Sequence, residues 1–440
     1  MYDLPTLKPE LLWFLIGEKI NDGWVMYQDL DDNTGVLSAL VYSIVNSIAG
    51  RSVSFLNWIS LVLVFLQAIT FNFFLNELNV VKERSLLPAL LYVICSSIFI
   101  DFYTLSPPLI ATTFLILALR YLFILMKQER KEASGFLMGM YIGISVLCYT
   151  SSFVYILFFL FSMLLFTSIS IRKSFMVVWG FLFPLLIVAT YYTLNSAFTV
   201  YAKDILYYSF TQLNYWYLSP SSILLFASLP IAMLVLALLK LSGRAGYVNY
   251  QNNARTVMVL YLFASFFVFF ISPKKSAYHL CMALPAMSLI LGEYFLSFNK
   301  KRLRNFIFYS FSISLICLGY SYDSSPFIVN KFIKSEEIIS EDLNLSTDGK
   351  VLVLGDAVDY YLNNEAATGY LNWQVAKQRF DNLRDVRELL DVKKSFERDL
   401  PDLIIDKENV IPTIFDMLPS LGNSYSYEGE GIYVLKKPSI

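Results

Sequence analysis

The acidic residue Glu10, in the segment KPELLWF, has the surroundings of a candidate general base. On a helix it would share a face with Trp13 and Gly17, three and seven positions further on. A carboxylate held beside apolar surface has a raised pKa and can take a proton from a hydroxyl. The alternative, which spacing alone favours, is an ordinary first-turn acid that the helix dipole stabilises after Pro9.

Two other acidic positions could take part in the same chemistry. Asp29 lies in YQDLDDNTG with Asp31 and Asp32, and such clustered carboxylates can bind a divalent metal or present one acid to a substrate. Asp101 is the only charge in FIDFYTLSPP. The alternatives are a solvated turn for the first group and a helix end reaching water for Asp101. Glu10, Asp29 and Asp101 are the candidate catalytic residues, and no cofactor is implied; a divalent metal has no further support.

The cationic segment SPKKSAYHLCMALP could bind a phosphate through Lys274, Lys275 and His279. These three are the candidate substrate-binding residues, and the alternative is non-specific contact with lipid headgroups. His279 is the single histidine of the chain, which excludes a multi-histidine metal site.

The elements that must position these residues are membrane helices. Apolar residues make up 56% of the 440 and charged residues 16%, against about 25% charged in soluble domains. The apolar residues fall in runs of roughly 17–24, the length that crosses a bilayer. We predict about ten spans, at 54–77, 86–104, 107–126, 134–150, 152–169, 175–194, 221–241, 256–272, 276–297 and 304–321. A net charge of −1 gives no indication of nucleic-acid binding.

Charge alternates between the connections and predicts the orientation. One side holds 14 basic residues, namely Lys82, Arg84, Lys127, Arg130, Lys131, Arg172, Lys173, Lys240, Arg244, Arg255, Lys300, Lys301, Arg302 and Arg304. The other side holds three: Lys203, Lys274 and Lys275. The positive-inside rule places the larger set in the cytoplasm, so ten spans put both termini outside. In a bacterium this is the inner, cytoplasmic membrane with both termini in the periplasm.

Three regions follow from these patterns: an outer amphipathic loop at 1–53, a helical bundle at 54–321 and an α/β domain at 322–440. In the loop, residues 9–21 and 36–49 are amphipathic. The second stretch makes a helix of about 21 Å, which suits an interfacial helix better than a span. If 36–49 is instead a short tilted span, the amino terminus moves to the cytoplasm.

The carboxyl-terminal region has the signals of a small α/β domain. Strands are predicted at Lys350–Leu354, Leu403–Ile405 and Ile432–Leu435, with helices near 374–398 and 409–418. The polar stretch 322–345 reads as a linker with a helix. VLVLGD resembles the first strand of a Rossmann-like unit but lacks GxGxxG, so we expect this domain to bind no nucleotide. It would cap the outer cavity or bind an acceptor or a partner.

Taken in order, these motifs resemble the GT-C superfamily of membrane glycosyltransferases, which includes protein O-mannosyltransferases and aminoarabinose transferases. The similarity covers residues 9–52, PELLWFLIGEKINDGWVMYQDLDDNTGVLSALVYSIVNSIAGRS, the later KKSAYHLCMALPAMSLI and the terminal α/β domain. The resemblance implies two interfacial helices and a polyprenyl-phosphate-linked sugar as donor. It also implies a carboxylate base, first Glu10 with Asp29 or Asp101 assisting, and a phosphate near Lys274, Lys275 and His279.

The chain departs from the family pattern at two points. Pro9 stands where the family has the first acid of a pair, which leaves Glu10 alone. The family also has a membrane helix before this pair, which an upstream segment or a partner membrane protein would supply. Two other hypotheses therefore stay open: a non-catalytic scaffold or assembly subunit of an envelope complex, and a transporter. The transporter is weakened by the lack of matching halves with broken helices.

The predicted orientation can be tested by cysteine labelling of intact cells. Cysteines introduced at Thr6 and Ser324 should both be labelled, since 1–53 and 322–440 are expected on the same outer side. Labelling at position 324 with protection at position 6 would mean that 36–49 spans the membrane.

Overall fold

The computed structural model describes residues 6–127, 133–167, 171–203, 215–216, 220–242, 248–324, 339 and 349–436. They form two compact units. The first unit comprises the described parts of Met1–Val53, Ser196–Gln212 and Glu337–Ile440, and the second those of Ser54–Asn195 and Leu213–Glu336. The predicted linker at 322–345 lies almost entirely outside the described residues.

Helices dominate the described chain. In chain order they are α1 Lys8–Asn21, α2 Val36–Ala49, α3 Val53–Glu77, α4 Leu87–Cys95, α5 Pro107–Met126, α6 Ala133–Cys148, α7 Val154–Phe166, α8 Ile171–Leu194, α9 Phe198–Lys203, α10 Pro220–Ser242, α11 Asn249–Ile271, α12 Leu284–Leu296, α13 Lys301–Ser324, α14 Trp373–Asp381, α15 Val386–Arg398, α16 Ile411–Met417 and α17 Pro419–Gly422. The strands are β1 Tyr215–Trp216, β2 Lys274–Lys275, β3 Lys350–Leu354, β4 Glu365–Ala366, β5 Leu403–Asp406, β6 Tyr425–Gly429 and β7 Ile432–Leu435.

The second unit is a bundle of membrane helices. Six helical stretches in the described residues are long and apolar enough to cross a membrane: Val53–Glu77, Pro107–Met126, Arg172–Leu194, Pro220–Leu241, Asn249–Ile271 and Ala277–Leu296. A helix stands at each of the ten predicted positions, but the number of ten spans is not confirmed.

The predicted span 86–104 is not one continuous helix. α4 ends at Cys95, and the chain continues to a 3-10 turn at Ile100–Tyr103. Ser96 and Ser97 donate side-chain hydrogen bonds to the carbonyls of Val93 and Ile94, at 2.8 and 2.7 Å. Such local bonds compete with continuation of a helix. The early end leaves residues 96–106 as a connection that carries Asp101.

Glycine sets the spacing of α6 and α8. A Cβ built on Gly139 would lie 2.0 Å from the carbonyl oxygen of Val177, and one on Gly180 would lie 2.0 Å from that of Phe136. No real side-chain carbon fits at that distance. Small residues at helix interfaces let two backbones come into direct contact, which is a main source of packing energy between membrane helices.

The α/β part of the first unit contains one five-stranded sheet in the order β4-β3-β5-β7-β6. β3 pairs in parallel with β4 and β5, whereas β7 is antiparallel to β5 and β6. The predictions of strands at β3, β5 and β7 are confirmed. The sequence did not predict β6, because its residues YSYEG are largely polar. A polar strand is compatible with the position of β6 at the edge of the sheet. The predicted helix 374–398 is two helices, since Asp385 begins α15 by accepting a hydrogen bond from the Arg387 backbone at 2.9 Å.

In the same unit α1 and α2 pack against each other. The rings of Trp13 and Tyr42 stack with centroids 5.4 Å apart, and a Cβ on Gly17 would lie 2.6 Å from the Tyr42 carbonyl oxygen. The opposite face of α2 is an apolar stripe in which Leu40 is 47% and Ile48 68% exposed.

Ion pairs join α1 to the sheet. Lys19 is bonded to the carboxylate of Asp399, which also accepts from Lys350 Nζ at 2.7 Å and from the Thr368 backbone at 3.2 Å. Burial by itself would raise the pKa of Asp399, but the hydrogen bonds from Lys19 and Lys350 hold this pKa below its ordinary value. The ionised carboxylate therefore stabilises the fold.

The close packing of α6 on α8 predicts that alanine substitutions at two glycines of α6 change stability to different extents. Gly139→Ala should lower the free energy of unfolding by about 1–3 kcal/mol or more, because the new methyl group overlaps the α8 backbone. Gly135→Ala is the matched control: its Cβ would lie 3.4 Å from the Lys173 carbonyl oxygen, an ordinary contact. It should be neutral or stabilising, since alanine favours helix. Thermal unfolding in detergent measures both, and equal midpoints would contradict the close approach.

The Asp399 cluster predicts a dependence on acid. A carboxylate whose pKa is lowered by folding stabilises the native state above its unfolded pKa of about 4, and this contribution is lost as pH falls through the folded value. The stability difference between wild type and Asp399→Asn should therefore shrink on acidification from about pH 6 towards pH 3. Asp416→Asn, which removes an exposed carboxylate of the same unit, controls for net charge. A difference independent of pH would contradict the assignment.

Candidate functional site

Asp101 is a fully buried carboxylate of the second unit. It lies in the 3-10 turn between α4 and α5, and its side chain is 0% exposed. Ser276 Oγ donates a hydrogen bond to its Oδ2 at 3.0 Å. Within the described residues its Oδ1 has no hydrogen-bond partner. A buried carboxylate oxygen without a donor is costly.

Lys275 lies beside this contact but uses its ammonium locally. Its Nζ donates to the backbone carbonyls of Phe270 and Ser272, at the end of α11. Burial lowers the pKa of Lys275. A cation at a helix carboxyl terminus satisfies carbonyls that lack helical partners and interacts favourably with the dipole. The backbone of Lys274 and Lys275 pairs in parallel with β1.

His279 contacts two residues that each directly follow the end of a different helix. Its Nε2 lies 3.2 Å from Ser272 Oγ, and Tyr149 OH donates to the same Oγ at 2.8 Å. The Tyr149 ring also stacks on the imidazole, with centroids 5.3 Å apart and 29° between the planes. His279 is buried. The ring is therefore fixed both in position and in orientation.

Glu10 belongs to the first unit, where it is buried at 2% exposure. Its Oε2 accepts a hydrogen bond from the Leu7 backbone at 2.9 Å, so it caps the first turn of its own helix. This contact is the one expected of an ordinary first-turn acid. It does not test a role as general base.

The acidic cluster after α1 makes ion pairs within the first unit. Asp29 lies 3.0 Å from Arg398, and Asp31 accepts two hydrogen bonds from Arg379, at 2.8 and 2.9 Å. Asp32 accepts from the amide of Asn372 at 2.8 Å. Burial raises the pKa of Asp31, and the guanidinium of Arg379 opposes that rise.

The partners Arg379 and Arg398 were missed by the sequence reasoning. No spacing rule connects residue 31 with residue 379, and the only available signal was an excess of acids in one segment. These paired charges fix the loop after α1 to the sheet domain. The cluster is thus chiefly a structural contact in the described chain.

The structure places Asp101 beside the segment of Lys275 and His279, through the hydrogen bond from Ser276. Glu10 and Asp29 belong to the first unit, so one shared cavity for all the candidate residues stays a prediction. Among the residues that the structure describes, no group of three or more His, Cys, Asp or Glu side chains could hold a metal ion.

No protein-family model and no curated protein matches the sequence. Solved structures do match. ArnT from Cupriavidus metallidurans, crystallised with undecaprenyl phosphate, has a TM-score of 0.50 at 12% identity, over 88% of this chain and 68% of that one. The oligosaccharyltransferase AglB from Archaeoglobus fulgidus, in complex with an inhibitory peptide and a dolichol-phosphate, has a TM-score of 0.46 at 10% identity, over 98% and 70%. The apo form of an oligosaccharyltransferase from the same organism gives 0.48 at 10%, over 91% and 66%.

At these identities the likeness concerns the fold. ArnT is an aminoarabinose transferase with the GT-C fold of membrane glycosyltransferases. The similarity to ArnT extends over most of the present chain. The resemblance seen in the sequence is thereby confirmed: this multi-pass membrane protein has the GT-C fold of membrane glycosyltransferases, with a small carboxyl-terminal sheet domain.

Proposed function

We propose that the protein transfers a sugar from a polyprenyl-phosphate donor to an acceptor outside the cytoplasm of a bacterial cell. The observation that carries this proposal is the fully buried Asp101, whose Oδ1 lacks a partner among the described residues, next to the segment of His279. A fold alone hosts many functions, so the argument depends on this arrangement.

The reaction would be a direct displacement at the anomeric carbon. A carboxylate takes the proton of the acceptor hydroxyl while the hydroxyl oxygen forms the new bond to that carbon. The bond between the anomeric carbon and the phosphate oxygen breaks, and the phosphate leaves with the electron pair. Groups that carry or donate positive charge at the leaving phosphate stabilise the transition state.

Two carboxylates compete for the role of base. Glu10 is first choice from the family resemblance, and Asp29 could assist. Asp101 is supported by its burial and by its oxygen without a described donor, whereas Oε2 of Glu10 is already occupied by a backbone donor. An oxygen that must accept a proton is better placed when no donor fills it.

The phosphate would lie near Lys274 and His279. Lys275 contributes less directly, because its ammonium is bonded to the end of α11. No cofactor is required by this mechanism, which needs only the lipid-linked sugar.

The lipid bilayer and a polyprenyl-phosphate lipid are the proposed partners. The exposed apolar stripe of α2 carries no charged side chain, which suits a helix lying in the membrane interface with both termini of the chain outside.

The second candidate is a non-catalytic subunit with the same fold. It is favoured by the local use of the charges: Glu10 caps α1, Asp29 pairs with Arg398 and Lys275 caps α11. In that case the first unit would provide an assembly surface. The transporter hypothesis has no comparable observation in its favour.

Carboxylate variants test the transferase directly. Wild type and variants in nanodiscs are given polyprenyl-phosphate lipids carrying radiolabelled sugars, and loss of label from the lipid fraction is measured in the presence of envelope extract as acceptor. Asp101→Asn should reduce transfer by about 100-fold or more, the usual contribution of a general base. Undecaprenyl phosphate binding should persist, because asparagine can still accept from Ser276.

Glu10→Gln and Glu77→Gln complete the set. Glu77 is ion-paired with Arg120 elsewhere in the second unit, at 3.0 Å, and its variant controls for loss of a carboxylate. Transfer that survives in Asp101→Asn but fails in Glu10→Gln would make Glu10 the base. Lipid binding without any transfer by the wild type would favour the scaffold.

A further inference from the structure

A groove on the surface of the second unit lies between the last turns of α3 and the start of α4. Its volume of about 450 Å³ is within the range of ligand-binding pockets. The lining residues come from these two helices and their connection: Ile69, Asn72, Phe73, Asn76, Glu77, Arg84, Leu86 and Ala89. The five from α3 recur at i, i+3, i+4, i+7 and i+8, so they form one face of that helix.

The groove is apolar along α3 and charged at one end. α3 is long and apolar enough to cross a membrane, and its Phe73 is 63% exposed. An exposed apolar side chain on such a helix contacts hydrocarbon. Glu77 is the last residue of α3 and lies eight positions after Ile69, about 12 Å along the helix axis. An apolar wall that ends in charged groups matches a lipid, which has a hydrocarbon chain and a polar head.

Arg84 supplies positive charge at the charged end. Glu77 pairs with Arg120 of α5 at 3.0 Å, so these two charges largely cancel. The neighbouring residues 82–83 carry one charge of each sign. Arg84 is exposed, and its hydrogen bond to Asn79 Oδ1 is long, at 3.5 Å. Because a guanidinium has several N–H donors in a geometry that matches phosphate, this end of the groove favours a phosphate over a cationic group.

The groove is separate from the connection that carries Asp101. That connection contacts α3 near its beginning, where Ser60 Oγ donates to the carbonyls of Phe102 and Thr104 at 3.4 and 3.2 Å. Ser60 and Phe73 are 13 positions apart on the helix, which is about 20 Å along its axis. A ligand with its head at the charged end of the groove is therefore not at the candidate catalytic carboxylate.

We propose that this groove is a binding site for a glycerophospholipid of the bilayer, with an acyl chain along Ile69 and Phe73 and the phosphate at Arg84. The length of about 12 Å is close to the roughly 15 Å of hydrocarbon in one leaflet, which is the reach of an acyl chain. A polyprenyl phosphate has the same kind of head but a much longer chain. The site goes beyond sugar transfer and does not depend on it.

Photolabelling in a bilayer tests the site. Full-length protein is placed in phosphatidylglycerol nanodiscs that contain a trace of phosphatidylglycerol with a diazirine on one acyl chain, and labelled peptides are quantified after irradiation. In the wild type, residues 69–89 should be labelled more strongly than the exposed apolar residues of α7, which report contact with bulk lipid. Labelling of 69–89 that only equals the α7 reference would overturn the proposal.

An arginine variant tests the phosphate contact. Arg84→Gln should lower the labelling of residues 69–89 about fivefold, the usual effect of one basic side chain near anionic lipid. Arg302→Gln is the matched control, because Arg302 is an exposed arginine at the start of α13 and lies outside the groove. Equal labelling in the wild type and Arg84→Gln would show ordinary bilayer contact and refute the site.

A filled groove gives a second test. Ala89→Trp adds an indole ring to the wall of the groove and should lower the labelling, whereas Leu90→Trp, at the next and more exposed position outside this lining, should not. Thermal unfolding shows whether both variants fold, and if Ala89→Trp does not, the two arginine variants still decide. Unlabelled phosphatidylglycerol should compete for the groove. Stronger competition by undecaprenyl phosphate would contradict the assignment to a phospholipid.

Discussion

A charged group removed from water must be hydrogen-bonded or paired, and this constraint governs the buried ionisable side chains of both units. In the first unit, Asp31 is matched by Arg379 and Asp399 by Lys19 and Lys350. In the second, Lys275 is matched by carbonyl oxygens at the end of α11. Asp101 is an exception, because Ser276 satisfies one of its oxygens and the other has no hydrogen-bond partner in the described chain.

This exception gives the second unit its candidate chemistry. The segment from Ser272 to His279 is held by Asp101 through Ser276, by Lys275 through the helix end and by Tyr149 through Ser272. A segment restrained at three points keeps its side chains in one arrangement, as a reacting group requires. Asp101 and Lys275, two of the charged residues predicted to act on a substrate, thus also hold this segment in place.

Helix packing provides the frame for the same segment. α6 carries Gly139 against α8 and leads directly to Tyr149, so the glycine contact and the imidazole contact lie on one continuous stretch of chain. α4 stops at Cys95, which frees the connection that holds Asp101. Two local features, glycines at an interface and serines at a helix end, therefore act together to place the groups around His279.

The sequence by itself determined the positions of most long helices, three strands of the sheet and the class of fold, because apolar run length and periodicity are local properties that the bilayer and the sheet impose directly. It also marked Asp101 and His279 as residues of interest. Only the tertiary structure decided that Asp31 pairs with Arg379, 348 positions away, and that Asp101 meets Ser276, 175 positions away. Such contacts depend on how whole elements pack, and no local pattern encodes them. The same holds for Lys275. Its charge predicted contact with a ligand, but the structure shows its ammonium bonded to backbone carbonyls at the end of α11.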